Sequence, residues 1–139
     1  MHEIVSDLLG IEGLVKEVHW NSYGLNFITL HRYLDEVYES CEEYIDEIAE
    51  YIVASDPDER VLWSPNVMPS FLMEDDTDIN SGVKLVVATL NELVFALDAA
   101  IAEADEDPAG QDILVRALQD FVKHRWLLGA EVGTYGQDR

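Results

Sequence analysis

The chain has 139 residues, a length that fits one domain built around a single core, so the whole of 1–139 is expected to fold as one unit. Its 29 acidic residues against 8 lysines and arginines give a formal net charge of −21. No basic cluster is therefore available to neutralise nucleic-acid phosphates, and DNA binding is not expected. The acidity is explained equally well by a need for solubility and by a surface that attracts cations.

Cysteine content and apolar runs limit the class of protein further. The single cysteine, Cys41, excludes an intrachain disulfide and a cysteine-based zinc site. No signal-peptide pattern follows Met1, which favours a cytoplasmic location. The longest apolar run, residues 85–102, is interrupted by polar residues, so no membrane span is expected.

Apolar residues recur with helical periodicity in four segments, at about 3–20, 27–54, 82–104 and 109–129. In the second segment the apolar positions alternate in steps of four and three over three heptads. This spacing is typical of a long helix in a bundle. Its apolar seam consists of Leu30, Leu34, Val37, Cys41, Tyr44, Ile48 and Ile52.

The connections suggest how the helices are joined. Residues 21–24 form a short turn that makes the first two helices antiparallel neighbours, and Pro108 separates the third helix from the fourth. Residues 55–81 contain three prolines and are too long for a turn. They should cross from one end of the bundle to the other, with a short helix near Ser70 to Asp75. The sequence thus predicts an all-α four-helix bundle with a long crossover between its second and third helices.

Side chains that can bind metal lie beside the apolar seam of the second helix. Taking 100° per residue, Asp35, Asp46 and Glu50 lie about 40°, 60° and 100° from His31. His31 and Asp46 are nevertheless separated by about 22 Å along the helix axis, whereas metal–ligand bonds are only about 2 Å long. One helix cannot bring all four side chains to one ion.

Two antiparallel copies of the second helix would remove this difficulty. The end carrying His31 and Asp35 would then meet the end carrying Asp46 and Glu50 of the other copy, which gives two identical sites per twofold dimer. His19, at the end of the first helix, can join them. Mixed imidazole and carboxylate ligands suit iron. Acids on a helix are more often a solvated face, so spacing alone indicates only a bundle with a candidate metal site.

The same residues resemble the signature of the Dps family, the mini-ferritins that assemble as hollow dodecamers. The resemblance covers about 3–54 and 109–129. It rests on His19-Trp20-Asn21, Gly24, Phe27, Leu30-His31, Asp35-Glu36, Tyr38 and Asp46-Glu47-Ile48-Ala49-Glu50, and on Asp112, Lys123-His124 and Trp126.

This resemblance implies a ferritin-like fold and a ferroxidase that oxidises ferrous ions, preferably with hydrogen peroxide, and stores ferric mineral. The family's iron ligands map onto His19, His31, Asp35, Asp46 and Glu50, divided between twofold-related subunits. Ferric mineral is expected to nucleate on Glu36, Glu39 and Glu43. An acidic threefold pore is expected from Asp112 with Asp107, Glu106 and Glu103. Trp20, beside the site, is expected to serve the core or an interface rather than take up an oxidising equivalent.

Departures from the family pattern leave alternatives open. Many members bind DNA with a Lys/Arg-rich terminal tail, and residues 1–139 show no such segment, so a tail of this kind is not expected. Its crossover begins Ser55-Asp56-Pro57 instead of with the family's Gly-Gly-x-Pro. Classical ferritins and bacterioferritins are disfavoured, because no glutamate lies three residues before a histidine. The remaining alternative is an acidic ferritin-like scaffold or interaction protein with a vestigial metal site.

Overall fold

The computed structural model describes residues 1–73, 75 and 77–134. Helix α1 spans His2–Asn21, α2 spans Phe27–Ser55, α3 spans Ile79–Glu103 and α4 spans Pro108–Glu131. A short 3₁₀ helix, Phe71–Met73, lies in the crossover between α2 and α3. The predicted all-α four-helix bundle is confirmed, and no strand occurs in the described ranges.

One predicted boundary was placed too late. Helix α3 begins at Ile79, because the side chain of Asp78 accepts a hydrogen bond from the backbone amide of Asn80 and caps the helix. Gly82, taken as the start of the helix, lies inside its first turns. A Cβ atom there would come within 2.7 Å of Val18 Cγ1 and 2.9 Å of Phe71 Cε2. This glycine permits close packing of α3 on α1 and does not mark a boundary.

The turn between α1 and α2 is tied to the beginning of α3. Gly24 and Asn26 have φ angles of 116° and 66°, in the left-handed region that a tight turn uses. The backbone amide of Ile79 donates to the carbonyl of Tyr23 at 2.8 Å. Since α2 ends at the opposite end of the bundle, the crossover must run the length of the molecule, as predicted.

The predicted seam of α2 forms the centre of the core. Its seven members are all buried, and four of them, Leu34, Val37, Cys41 and Ile48, are fully inaccessible. Because Cys41 is fully buried, the pKa of its thiol is raised. It is a small core residue, and its thiol is protected from reagents.

Polar contacts join α2 to α4 beside this core. The ring nitrogens of His124 lie 2.7 Å from the Tyr33 hydroxyl and 2.8 Å from Ser40 Oγ. Burial lowers the pKa of His124, which favours its neutral form. The hydroxyl of Tyr44 donates to Asp120. Each of these contacts satisfies a polar group that helix packing would otherwise leave without a partner.

Helix α3 is long and apolar enough to span a membrane by those two criteria alone. Its apolar side chains, however, are used within the bundle, and Val83, Val86, Leu90 and Leu97 are fully buried. The helix is therefore a core helix.

The crossover packs against α1 at Gly10. The amide of Asn66 donates to the carbonyl of Ser6 at 2.9 Å, and its side chain donates to Asp7. These bonds bring the carbonyl of Asn66 directly over the Cα of Gly10. A Cβ at residue 10 would collide with that oxygen and with Met68, whereas a Cβ at Gly13 would meet nothing within 4 Å.

This contrast gives a matched pair of substitutions on one helix. Gly10→Ala should destabilise the fold by about 1–3 kcal/mol, because it overpacks the crossover. Gly13→Ala should stabilise it by about 0.5–1 kcal/mol, because alanine favours the helix. Thermal unfolding at fixed protein concentration measures both. Equal effects of the two substitutions would show that the crossover does not rest on Gly10.

Candidate metal centre

Two histidines face each other where α1 ends and α2 begins. His19 Nδ1 lies 2.8 Å from the carbonyl oxygen of His31, and His31 Nδ1 lies 2.9 Å from the carbonyl oxygen of His19. A carbonyl can only accept, so both Nδ1 atoms carry the proton and donate it. In the neutral rings the lone pair is therefore on Nε2, and a neutral imidazole binds a metal through such a nitrogen.

Stacking also holds the two rings where their hydrogen bonds place them. Their centroids lie 3.7 Å apart with planes 10° from parallel, and Phe27 stacks on His31 at 4.8 Å. His19 is 8% exposed, so little room exists for alternative rotamers. The short turn after Asn21 makes this pairing possible, because it returns the chain at once to the same end of the bundle.

Asp35 lies one helical turn after His31 and completes this group. Its Oδ1 is 3.5 Å from His19 Nε2 and 2.9 Å from Lys16 Nζ. The hydrogen bond from Lys16 holds the pKa of Asp35 below its usual value. Lys16 is itself held over the ring of Tyr38, 4.3 Å from the centroid. We call His19, His31 and Asp35 the histidine half.

Asp46 and Glu50 form a second group towards the other end of α2, which we call the acidic half. Both are exposed and line one apolar groove between α1, α2 and the crossover. Asp46 also borders a smaller cavity with Glu12 and Glu42. Burial, with the charges of Glu42 and Asp46, raises the pKa of Glu12. This region therefore has a concentrated negative potential.

A single chain does not join the two halves. Among residues 1–73, 75 and 77–134 no three His, Cys, Asp or Glu side chains come close enough to hold a metal ion. The structure places His19 against both His31 and Asp35, without gathering the three around one point, and it leaves Asp46 and Glu50 farther along α2. Each half is incomplete in one chain.

The predicted nucleation residues, Glu36, Glu39 and Glu43, are all exposed on α2. Glu36 lines an open cavity of about 430 Å³ with Arg32 and Glu131. These positions are open to cations, and nucleation stays a prediction.

The predicted pore acids lie at the turn between α3 and α4, where two of them have partners within the chain. Asp107 caps α4, accepting hydrogen bonds from Tyr51 and the amide of Gly110, and these bonds lower its pKa. Asp112 pairs with Arg116 at 3.2 Å, and Arg116 also binds Glu47 of α2. Glu103 and Glu106 are exposed. The pore stays a prediction, with Arg116 reducing the negative charge at Asp112.

Lys16 is the residue that sequence reasoning missed. It lies three residues before His19, on the same face of α1, and that spacing was the available signal.

Removing this lysine should expose Asp35 to incoming cations. Lys16→Met should tighten ferrous binding at the histidine half by up to about fivefold, because an exposed ion pair is worth about 0.2–1 kcal/mol. Anaerobic calorimetric titration measures it, with Lys84→Met on the exposed face of α3 as the control. If Lys16→Met binds ferrous ions no more tightly than the wild type does, Lys16 does not compete with the metal.

Comparison with known proteins shows which family this chain resembles. A ferritin-like domain family model matches residues 2–136. A DNA protection during starvation protein from Brevibacillus brevis is 31% identical over 117 residues, covering 81% of this chain and 78% of that protein.

Solved structures share the fold. Dps from Microbacterium arborescens, in its high iron form, superposes with a TM-score of 0.78 at 26% identity, covering 95% of this chain and 89% of that one. A C-terminal deletion mutant of Mycobacterium smegmatis Dps superposes with a TM-score of 0.82 at 23% identity, covering 93% and 92%. With its histidine pair, its bundle and these matches, the chain belongs to the Dps family of ferritin-like proteins.

Proposed function

We propose that this chain oxidises ferrous ions, preferably with hydrogen peroxide, at ferroxidase sites shared between twofold-related subunits. The ferric product is stored inside a hollow homo-oligomer, expected to be a dodecamer, and the reaction protects a cytoplasm from oxidative damage. The observation that carries the proposal is the reciprocal pairing of His19 and His31, which occupies both Nδ1 atoms and leaves Nε2 of each ring for a metal.

Sharing follows from the lengths involved. Both halves contain residues of α2, yet one chain cannot close them around an ion. A twofold axis across antiparallel α2 helices places the histidine half of one subunit against the acidic half of the other, twice per dimer. The completed set is His19, His31 and Asp35 with Asp46 and Glu50 of the second copy.

Two imidazoles and three carboxylates suit ferrous ions and leave coordination positions for an oxidant. Hydrogen peroxide takes one electron from each of two ferrous ions and, with two protons, yields two ferric ions and two waters. Removing both electrons at one site avoids release of hydroxyl radical. Lys16, which pairs with Asp35, must give way as the iron arrives.

Storage and uptake use the acidic surfaces. Glu36, Glu39 and Glu43 offer exposed carboxylates on which ferric mineral can nucleate. Three copies of Asp112 around a threefold axis, with Glu103, Glu106 and Asp107 nearby, would focus a negative potential that draws ferrous ions inward. The pairing of Asp112 with Arg116 makes this ring weaker than four free acids would be.

A scaffold with a vestigial site is the second candidate. It requires no ordered ligands, whereas this chain keeps two stacked histidines in the tautomer that binds metal. That preorganisation favours the ferroxidase.

Complementation between inactive variants tests the shared site. His31→Ala and Asp46→Ala should each abolish rapid ferrous oxidation. When the two are dissociated, mixed and reassembled, half of the dimers pair unlike chains, and each of these has one intact site. About a quarter of the wild-type rate should return. Stopped-flow absorbance of ferric product measures it.

The matched control mixes Asp46→Ala with Glu50→Ala. Both changes lie in the acidic half, so every site stays defective and no activity should return. Recovery in the control, or none in the first mixture despite verified mixed dimers, would contradict a shared site. Full activity in both single variants would contradict the proposed ligand set, and wild-type protein that shows no rapid oxidation would favour the scaffold.

We further expect no DNA binding near 0.15 M salt without divalent ions, because the chain carries −21 charges and the duplex is also anionic. A gel shift measures this, and added divalent ions distinguish cation bridging. Retention at micromolar protein in their absence would contradict the prediction.

A further inference from the structure

An apolar groove lies beside the acidic half. It has a volume of about 500 Å³ and runs between the first part of α1, the second half of α2 and the crossover. We call it the Trp63 groove; besides Asp46 and Glu50, its lining includes Val5, Leu9, Ile45, Ala49, Val53, Leu62 and Trp63. Leu62 and Trp63 are each 76% exposed in the single chain. Open apolar surface of this kind, rimmed by charged groups, marks an interaction site.

A matching projection lies beside the histidine half. Trp20 follows His19 directly in the last turn of α1 and is 71% exposed. Leu25 and Ile28, on either side of the start of α2, are 82% and 63% exposed. None of these three side chains packs in the core of its own chain. Of the two roles expected for Trp20, core or interface, its exposure favours the interface.

The two features must meet if the two halves meet. Trp20 is the neighbour of His19, and Asp46 and Glu50 are part of the wall of the groove. We propose that the Trp63 groove receives the indole of Trp20 from a second copy of this chain. This inference rests on the proposed shared site, and it names the contact that holds that site together. Because a twofold contact repeats itself, each dimer contains the insertion twice.

Charge favours a second copy as the occupant. Most surfaces of a −21 chain repel one another. Near Trp20, the one carboxylate of the histidine half is Asp35, which is paired with Lys16. His19 lies beside the same carboxylate. Lys16 therefore offsets the one carboxylate of the histidine half that would face the acidic half. Tryptophan is also the side chain that most often dominates the affinity of an interface.

Cross-linking between different chains tests the contact without measuring oxidation. One chain carries Trp20→Cys and a second, distinguishable by a tag, carries Leu62→Cys; Cys41 is buried and stays unreactive. A short bismaleimide should join the two chains after mixing and reassembly. The matched control replaces Trp20→Cys with Phe95→Cys, at an equally exposed aromatic on α3, and should give no product above background.

Affinity gives a second measurement. Trp20→Ala should raise the dissociation constant of the dimer at least about 30-fold, as expected for a central aromatic anchor, while its circular dichroism stays unchanged. An oligomer that forms without the 20–62 product, a chain that stays monomeric, or a Trp20→Ala dimer of unchanged affinity would each overturn the inference. Oxidation of ferrous ions without the cross-link would overturn this inference and leave the proposed function standing. Cross-linking without oxidation would instead contradict the proposed function.

Discussion

The reciprocal bonds between His19 and His31 are the constraint on which the candidate site depends. Each Nδ1 donates to the other residue's carbonyl, so the turn from α1 to α2 fixes both the position and the tautomer of the rings. The carbonyl of His19 lies in the last turn of α1, where backbone oxygens lack a helical partner, whereas that of His31 lies near the start of α2, where only the amides lack one. A change in the length of this turn would therefore alter ring position, tautomer and metal affinity together.

Much of this could be predicted from the sequence. The seam from Leu30 to Ile52 predicted which face of α2 is buried, since heptad spacing leaves only one face for the core. The same periodicity placed His31 and Asp35 together and separated them from Asp46. These predictions succeeded because they depend only on helix geometry, which is local.

The misses involve contacts between distant segments. Gly82 suggested a boundary, but its lack of a side chain serves the packing of Val18 and Phe71. Lys16 was overlooked because its partner, Asp35, lies on another helix, 19 residues away. The Trp63 groove could not be foreseen, because the crossover has no periodicity to show which of its residues pack against α1 and α2.

The strong negative charge fits the proposed assembly, in which contacts between subunits would be local and specific. Repulsion opposes random association, so association depends on places where charge is neutralised or apolar surface is covered. Arg116 bridges Asp112 and Glu47 in this way within the chain, and Lys16 neutralises Asp35. Ferrous ions at the acidic half would do the same between chains, so metal binding and association should support each other.

Anomalous diffraction at the iron edge, from crystals soaked anaerobically with ferrous ions, tests the shared site most directly. The account predicts an iron peak between two chains, about 2 Å from the Nε2 atoms of His19 and His31 and from carboxylate oxygens of the acidic half of the second chain. A peak coordinated by residues of one chain alone, or iron bound only away from the two histidines, would contradict it.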